Sequence, residues 1–368
     1  MKLTNTSISQ PLLAGLFIFL SVNLFAQSAV VDPATVGLSA ERLARLDAFI
    51  EKDVVEGKIP GAVSLVYRKG KIAHQKAYGY TNLETKEKMP LNEIFYIQSM
   101  TKPIVTAALM MLYEEGHFQL NDPIAKYFPA FKEMSVAKFI QVEGSDEKEM
   151  QLEPADKPIT IAHCMSHTAG FSHGLGASKI DQMYLRALYF QPHKTIEDRV
   201  MAMAKLPLVA HPDNVWYYSA GPDVLALLIE HFSGKSCAEF LKERLFDPLD
   251  MDDTGYVLDP SKNDRIATLY HMQDGKLTPF VQRQPKGQGE TVFGGTHALF
   301  STAADYMKFA QMLLNGGQGN GQQLLGKKTI ELMTTDRVGD KWSALGFGFG
   351  LGFGVKTDLA ASADLASE

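Results

Sequence analysis

Cysteine is almost absent. The 368 residues hold two, Cys164 and Cys237, enough for one bridge at most. The pattern does not say whether they meet, and burial as two unpaired side chains is the expectation. No block of Lys or Arg occurs, and the formal net charge is −6. Nothing therefore invites nucleic acid or an anionic membrane surface. There is no internal repeat and no low-complexity linker. One long apolar run stands out, PLLAGLFIFLSVNLF at 11–25, and it is short for a bilayer. It follows a segment carrying Lys2 and precedes the small, polar AQSA, so residues 1–28 read as a secretory signal cleaved after Ala26 or Ser28. An uncleaved anchor is the alternative. No cysteine follows the run, so a lipid anchor is not expected. The protein is expected to be exported, periplasmic or secreted.

What is present is ordinary globular material, 45% hydrophobic and 21% charged, long enough for one large domain or two smaller ones. LSAERLARLDAFIEKDVVEGK reads as a helix, with Ser39 as N-cap, Gly57 as stop, and Leu43, Leu46, Ile50 and Val54 on one face. Two β-rich runs flank Lys69-Gly70 as an antiparallel hairpin. A strongly apolar helix follows over 99–115. Pro103 belongs in its first turn, where a missing N–H costs little, so the helix begins near Ser99. Residues 141–158 read as a charged, exposed excursion. Thr160 caps a short helix, 222–233 and 236–245 read as helices, and Ser301-Thr302 caps another. In GFGFGLGFGV, 346–355, Gly alternates with larger residues. That period of two predicts a strand with one face left bare for close approach. With β segments at both ends, one sheet built from 36–95 and 290–368 is expected. A mostly helical insertion over 96–289 lies between them.

Ser99 and Lys102 lie one turn apart on the same helix face. A serine hydroxyl is a weak nucleophile that needs a neighbouring base, and a helix N-terminus offers free N–H groups and partial positive charge to an oxyanion. A lysine base must lose much of its proton affinity, through burial and its neighbours. The alternative is a helix cap followed by a solvated lysine. In NVWYYSAG, 214–221, either Tyr217 or Tyr218 is a candidate proton shuttle. Tandem aromatics also read as core.

Taken in order, S-M-T-K (99–102), S-H-T-A-G (166–170), W-x-Y-S ending at Tyr218-Ser219, and GG-x-x-x-LFSTAADY (294–306) resemble the serine β-lactamase and penicillin-binding-protein superfamily. The branch most resembled is that of class C β-lactamases and family VIII carboxylesterases. The resemblance spans roughly 36–355. It implies an α/β fold of α+β type, an antiparallel sheet flanked by helices with a mostly helical inserted domain. It also implies Ser99 as the acylated nucleophile, Lys102 as its base partner and Tyr218 as the proton relay. The Ser99 N–H would be half of the oxyanion hole. Trp216, Ala220, Phe171, Gly294 and Gly295 are candidate substrate-binding residues, and His167 is expected to be structural beside the site.

Two departures matter. Where the family often has Tyr-x-Asn, this chain has Ala220, which cannot reach a lactam side-chain amide and favours esters. The family's third strand motif is also missing. Lys356-Thr357-Asp358 lacks its Gly and is read as coincidence, so the chain is expected to be a C-terminally incomplete copy. A stop codon directly after Glu368 would oppose that. No cofactor is expected. His163 and His167 are spaced as metal ligands, but no Glu stands between them and no metal is expected. Asp122 and Asp223 are read as supporting helix starts, and no α/β-hydrolase elbow is expected. The expected partner is a small-molecule ester, a lactam or a cell-wall peptide; the oligomeric state is open. The function anticipated is a serine hydrolase acting on short-chain esters. The alternatives are a β-lactamase or D,D-carboxypeptidase, and a catalytically silent, penicillin-recognising or cell-wall-binding relative.

Overall fold

The computed structural model describes residues 29–142, 145, 148–280, 284–287, 289–342 and 346–358. The expected signal, 1–28, lies outside the described residues, as does 359–368. No helix among the described residues is long and apolar enough to cross a membrane.

Helix α1 is Ala40–Val55. The Ser39 hydroxyl accepts from the Arg42 N–H at its start, and Gly57 turns out of it at φ +68°. Strands β1 (Gly61–Arg68) and β2 (Lys71–Asn82) form the expected hairpin about Lys69-Gly70. A register shift falls at Val66/Tyr67, and the two-residue β3 (Glu87–Lys88) adds to β2. Helix α1 lies on β2, where Asp47 accepts hydrogen bonds from the Tyr78 hydroxyl (2.6 Å) and Lys76 (3.4 Å).

Strand β4 (Phe95–Tyr96) leads through a 3-10 turn, Gln98–Met100, into α2 (Thr101–Glu114). Pro103 is the third residue of α2, inside the turn whose N–H groups need no helical partner. Every α2 residue from Ile104 to Leu112 is buried. A helix apolar all round has to be central, and α2 packs against α6 (Gly221–Ser233), buried through Ile229. Each fully buried Leu, Ile or Met there contributes roughly 1.5–3 kcal/mol of transfer free energy.

The charged excursion is ordered where described. Strand β5 (Ser135–Gln141) pairs with β6 (Lys148–Pro154) as an antiparallel ribbon, because each charged residue can point to solvent while the backbone groups pair across. Helices α3 (Ile161–Met165), α4 (Lys179–Tyr189) and α5 (Ile196–Met203) precede α6; Thr160, Ser178 and Thr195 each close a capping box. Helix α7 (Cys237–Leu241) follows, then the hairpin β7 (Tyr270–Gln273) and β8 (Lys276–Pro279). Strand β9 (Phe300–Ser301) pairs with β4, and Thr302 caps α8 (Ala303–Leu314). The small hairpin β10 (Gln318–Gly319) and β11 (Gln322–Gln323) precedes α9 (Lys327–Met333). Cys164 and Cys237 are buried and unpaired.

The Gly-alternating segment differs from its reading as one strand. It folds back on itself as β12 (Phe347–Phe349) and β13 (Gly354–Lys356), with Gly352 at φ +84° and Gly350 donating to the Phe353 carbonyl. The bare face is real. A Cβ on Gly348 would meet Asp336, on Gly350 the Met333 carbonyl, and on Gly352 Thr106. Among the described residues this hairpin does not join the β1–β2–β3 sheet, because it is tied instead to Met165 and Met333 through the N–H groups of Gly352 and Leu351. The ends meet through α8 packing on β1 and through the β4–β9 pair.

Candidate active site

Ser99 sits on the turn between β4 and α2, with its side chain exposed. Its position is set from both sides. Ile97 N–H donates to the Leu299 carbonyl (3.0 Å), and the Tyr306 hydroxyl donates to the Met100 carbonyl (3.2 Å). Gln98, directly before the serine, has φ +45°. A side chain held there costs on the order of 1–3 kcal/mol and persists where the surroundings over-determine it.

Lys102 is 3% exposed. Its Nζ lies 3.1 Å from Ser99 Oγ and 2.8 Å from the Thr296 carbonyl oxygen. Burial pulls its pKa down to about 8, against the opposing carboxylate of Asp223. The amine is 4.5 Å from the centre of the Tyr218 ring, and Ser99 is a polar neighbour of its hydroxyl. Burial raises the Tyr218 pKa, so the phenol rests neutral. A proton leaving Ser99 would find its nearest acceptor in Lys102, and a neutral phenol would pass a proton onward rather than start as phenolate.

His167 is buried at φ +58°. Its Nδ1 accepts the Ser219 N–H at 3.2 Å, which leaves the ring proton on Nε2, and the ring lies 4.6 Å from Tyr218. Burial lowers its pKa to about 3, so it is neutral. Trp216 is half-buried and stacks on Trp342 at 4.6 Å, with Phe349 at 5.6 Å, behind Tyr218. Ala220 and Phe171 are fully buried. Phe171 packs edge-on to Phe131, and Ala220 precedes α6 with its N–H on the Ser172 carbonyl. Neither lines the opening beside Ser99, because both are taken up by the core. Gly294 and Gly295 are buried against α6. A Cβ on Gly295 would lie 1.9 Å from the Pro222 carbonyl oxygen, and one on Gly294 2.9 Å from Asp223 Oδ1. Their smallness serves close packing rather than substrate contact.

The cavity beside Ser99 measures about 400 Å³. Its walls include Tyr96, Leu185, Tyr189 and Phe280, with His173 and His297, and its described lining has no Lys or Arg. Burial holds both histidines neutral, each with a pKa near 4. Sequence reasoning missed both, although each adjoins a motif it used: His173 follows HTAGF and His297 follows the Gly pair. It also passed over Gly170-Phe171-Ser172-His173-Gly174, which does spell Gly-x-Ser-x-Gly. Ser172 is fully buried, donates to Asp181 Oδ1 at 2.6 Å, and no strand leads into it. It is therefore not a nucleophile elbow. The expected role of Asp223 also changes, since its carboxylate reaches Arg199 and Thr296 rather than the start of α6. Asp122 instead holds a loop, accepting from Gln119 N–H, Lys126 and Tyr127. His163 Nδ1 is occupied by the Thr160 N–H. Among the described residues no group of three or more His, Cys, Asp or Glu could hold a metal ion.

Ser99, on the 3-10 turn that leads into α2, stands beside a buried lysine on a mixed fold of helices and short antiparallel strands, the fold of the β-lactamase and transpeptidase-like serine hydrolases. The chain belongs to the β-lactamase family, whose model matches residues 46–363. It is 31% identical over 320 residues to Protein Rv1367c of Mycobacterium tuberculosis, covering 84% of this chain and 78% of that protein. It is 29% identical over 287 residues to esterase EstB of Burkholderia gladioli, covering 75% and 68%. Among solved structures it superposes on EstCE1, described as a hydrolase with promiscuous acyltransferase activity, with a TM-score of 0.71 at 25% identity. That match covers 87% of this chain and 84% of the other.

Proposed function

We propose that the protein is an exported carboxylesterase that hydrolyses short-chain esters through an acyl-enzyme on Ser99. The observation that carries this is the contact of the buried Lys102 amine with Ser99 Oγ at 3.1 Å, at the edge of an apolar-walled cavity. Ser99 Oγ attacks the ester carbonyl as Lys102 Nζ takes its proton. The alcohol leaves with a proton passed through Tyr218, and water then releases the acid. The Ser99 N–H, in the 3-10 turn before α2, would supply one donor to the developing oxyanion. The cavity suits a short acyl chain. The described lining lacks a cation for a lactam carboxylate, and Ala220 offers no amide. Likeness to esterase EstB supports the same substrate class. Export rests on residues 1–28, and the N-terminal sequence of the protein recovered outside the cytoplasm tests it.

The test of the activity is turnover of p-nitrophenyl butyrate and of a chromogenic cephalosporin, each beside Ser99→Ala. Ester turnover lost in the variant supports the proposal. Cephalosporin turnover alone would replace it with a lactamase, and binding without turnover would replace it with a silent relative.

A further inference from the structure

Lys102 Nζ has two oxygen partners, Ser99 Oγ and the Thr296 carbonyl. What fixes Thr296 therefore fixes the amine. Its N–H donates to Asp223 Oδ1 at 2.9 Å and its hydroxyl to the Ala220 carbonyl at 3.3 Å. Asp223 Oδ2 in turn takes Arg199 Nε at 2.7 Å. Arg199 is 6% exposed and Asp223 1%, and the guanidinium also donates to the Leu188 carbonyl and lies over the Tyr189 ring. The close seating of Gly294 and Gly295 on α6 brings this strand of contacts together.

We propose that Arg199 and Asp223 are a positioning pair that acts through Thr296, holding the Lys102 amine in line with Ser99 and setting the charge it feels. A buried ion pair is by itself weak evidence for stability, since apolar residues of similar volume often serve as well. This pair spends its second carboxylate oxygen on the backbone of the residue that holds the lysine. The inference rests on Ser99 and Lys102 carrying the reaction. The titratable groups facing Lys102 are Tyr218, His167, His173, His297 and Asp223. Those facing Asp223 are Lys102, Arg199, His173, His297, Tyr189, Cys237 and Tyr256. Asp223 is the anion among the groups facing Lys102, and it favours the protonated amine.

The test compares wild type, Asp223→Asn, Asp223→Ala and the double variant Arg199→Met/Asp223→Asn, all checked for fold by circular dichroism. The readouts are kcat, KM and the pH profile on p-nitrophenyl butyrate. Asp223→Ala removes the acceptor for Thr296 and is expected to lower kcat about 10–100-fold with KM little changed. Asp223→Asn keeps an acceptor but no charge, so the acidic limb of kcat/KM moves to lower pH. In the double variant, which has no unpaired buried charge and so guards against misfolding, the limb returns towards the wild-type position. Identical limbs in wild type, Asp223→Asn and the double variant would overturn the inference. An inactive wild type, or an active Ser99→Ala, would instead sink the underlying assignment of the site.

Discussion

On the proposed mechanism the pH dependence of acylation follows from one buried amine. Lys102 accepts a proton only when neutral. With a pKa near 8, about one molecule in ten is ready at pH 7 and about one in a hundred at pH 6. The profile of kcat/KM on p-nitrophenyl butyrate reports the free enzyme. It should rise about tenfold per pH unit from about pH 6, bend near 8 and flatten above it. His167, His173 and His297 titrate well below this window, at about 3, 4 and 4, so none supplies a competing limb. Lys102→Arg keeps a charge that cannot be lost near neutrality, and should lower kcat/KM by about 10²–10⁴-fold. The same burial costs stability. A fall from 10.5 to about 8 corresponds to roughly 3 kcal/mol. That cost is full below about pH 8, where both folded and unfolded states hold the proton, and fades as pH rises to the unfolded value. Lys102→Met should therefore be inactive and melt at higher temperature than wild type at neutral pH. A flat profile between about pH 6 and 9, with Lys102→Arg active, would refute the reasoning. A limb near 4 would transfer the base role to a histidine.

Three further outcomes are expected. Glu93 is buried with one carboxylate oxygen unpartnered, and burial raises its pKa to about 7, opposed by the Thr81 hydroxyl. A raised acid contributes stability that is present below its unfolded pKa of 4.5 and lost as pH rises through about 7. Glu93→Gln should thus match wild type near pH 4.5 and exceed it by about 3 kcal/mol above pH 7 in urea unfolding; equal differences at both pH values would contradict this. Gly295→Ala forces its Cβ onto the Pro222 carbonyl, which displaces Thr296, and kcat should fall about 10–100-fold with little change in KM. Tyr218→Phe removes the relay and should lower kcat by about 10²-fold while thermal melting stays within a few degrees of wild type.

The elements legible in the sequence were those written in local chemistry. Ser39, Thr160 and Thr302 cap the helices they were read to cap, Lys69-Gly70 turns a hairpin, and Pro103 marks the start of the helix that brings Lys102 under Ser99. What escaped depends on tertiary context. Period two in GFGFGLGFGV cannot distinguish one strand from two short ones joined at Gly352, since both alternate. Helices α4 and α5 were missed between motifs that drew attention. Gly294, Gly295 and Ala220 were read as facing substrate because their motif borders the site. The structure turns them inward, where a missing side chain lets backbone approach backbone. Asp223 looked like a helix-start residue by position, and only the fold shows its carboxylate spanning Arg199 and Thr296. The match at Ser172 shows the converse, a catalytic-looking pattern whose serine is spent on Asp181 in the core.

The most direct measurement of the central claim is the site of covalent capture. The folded protein would be treated with a fluorophosphonate ester, digested, and mapped by mass spectrometry. The account predicts one adduct, on Ser99, absent from Ser99→Ala and formed far more slowly by Lys102→Arg. An adduct on Ser172 or any other serine, or equal labelling of Ser99→Ala, would contradict it.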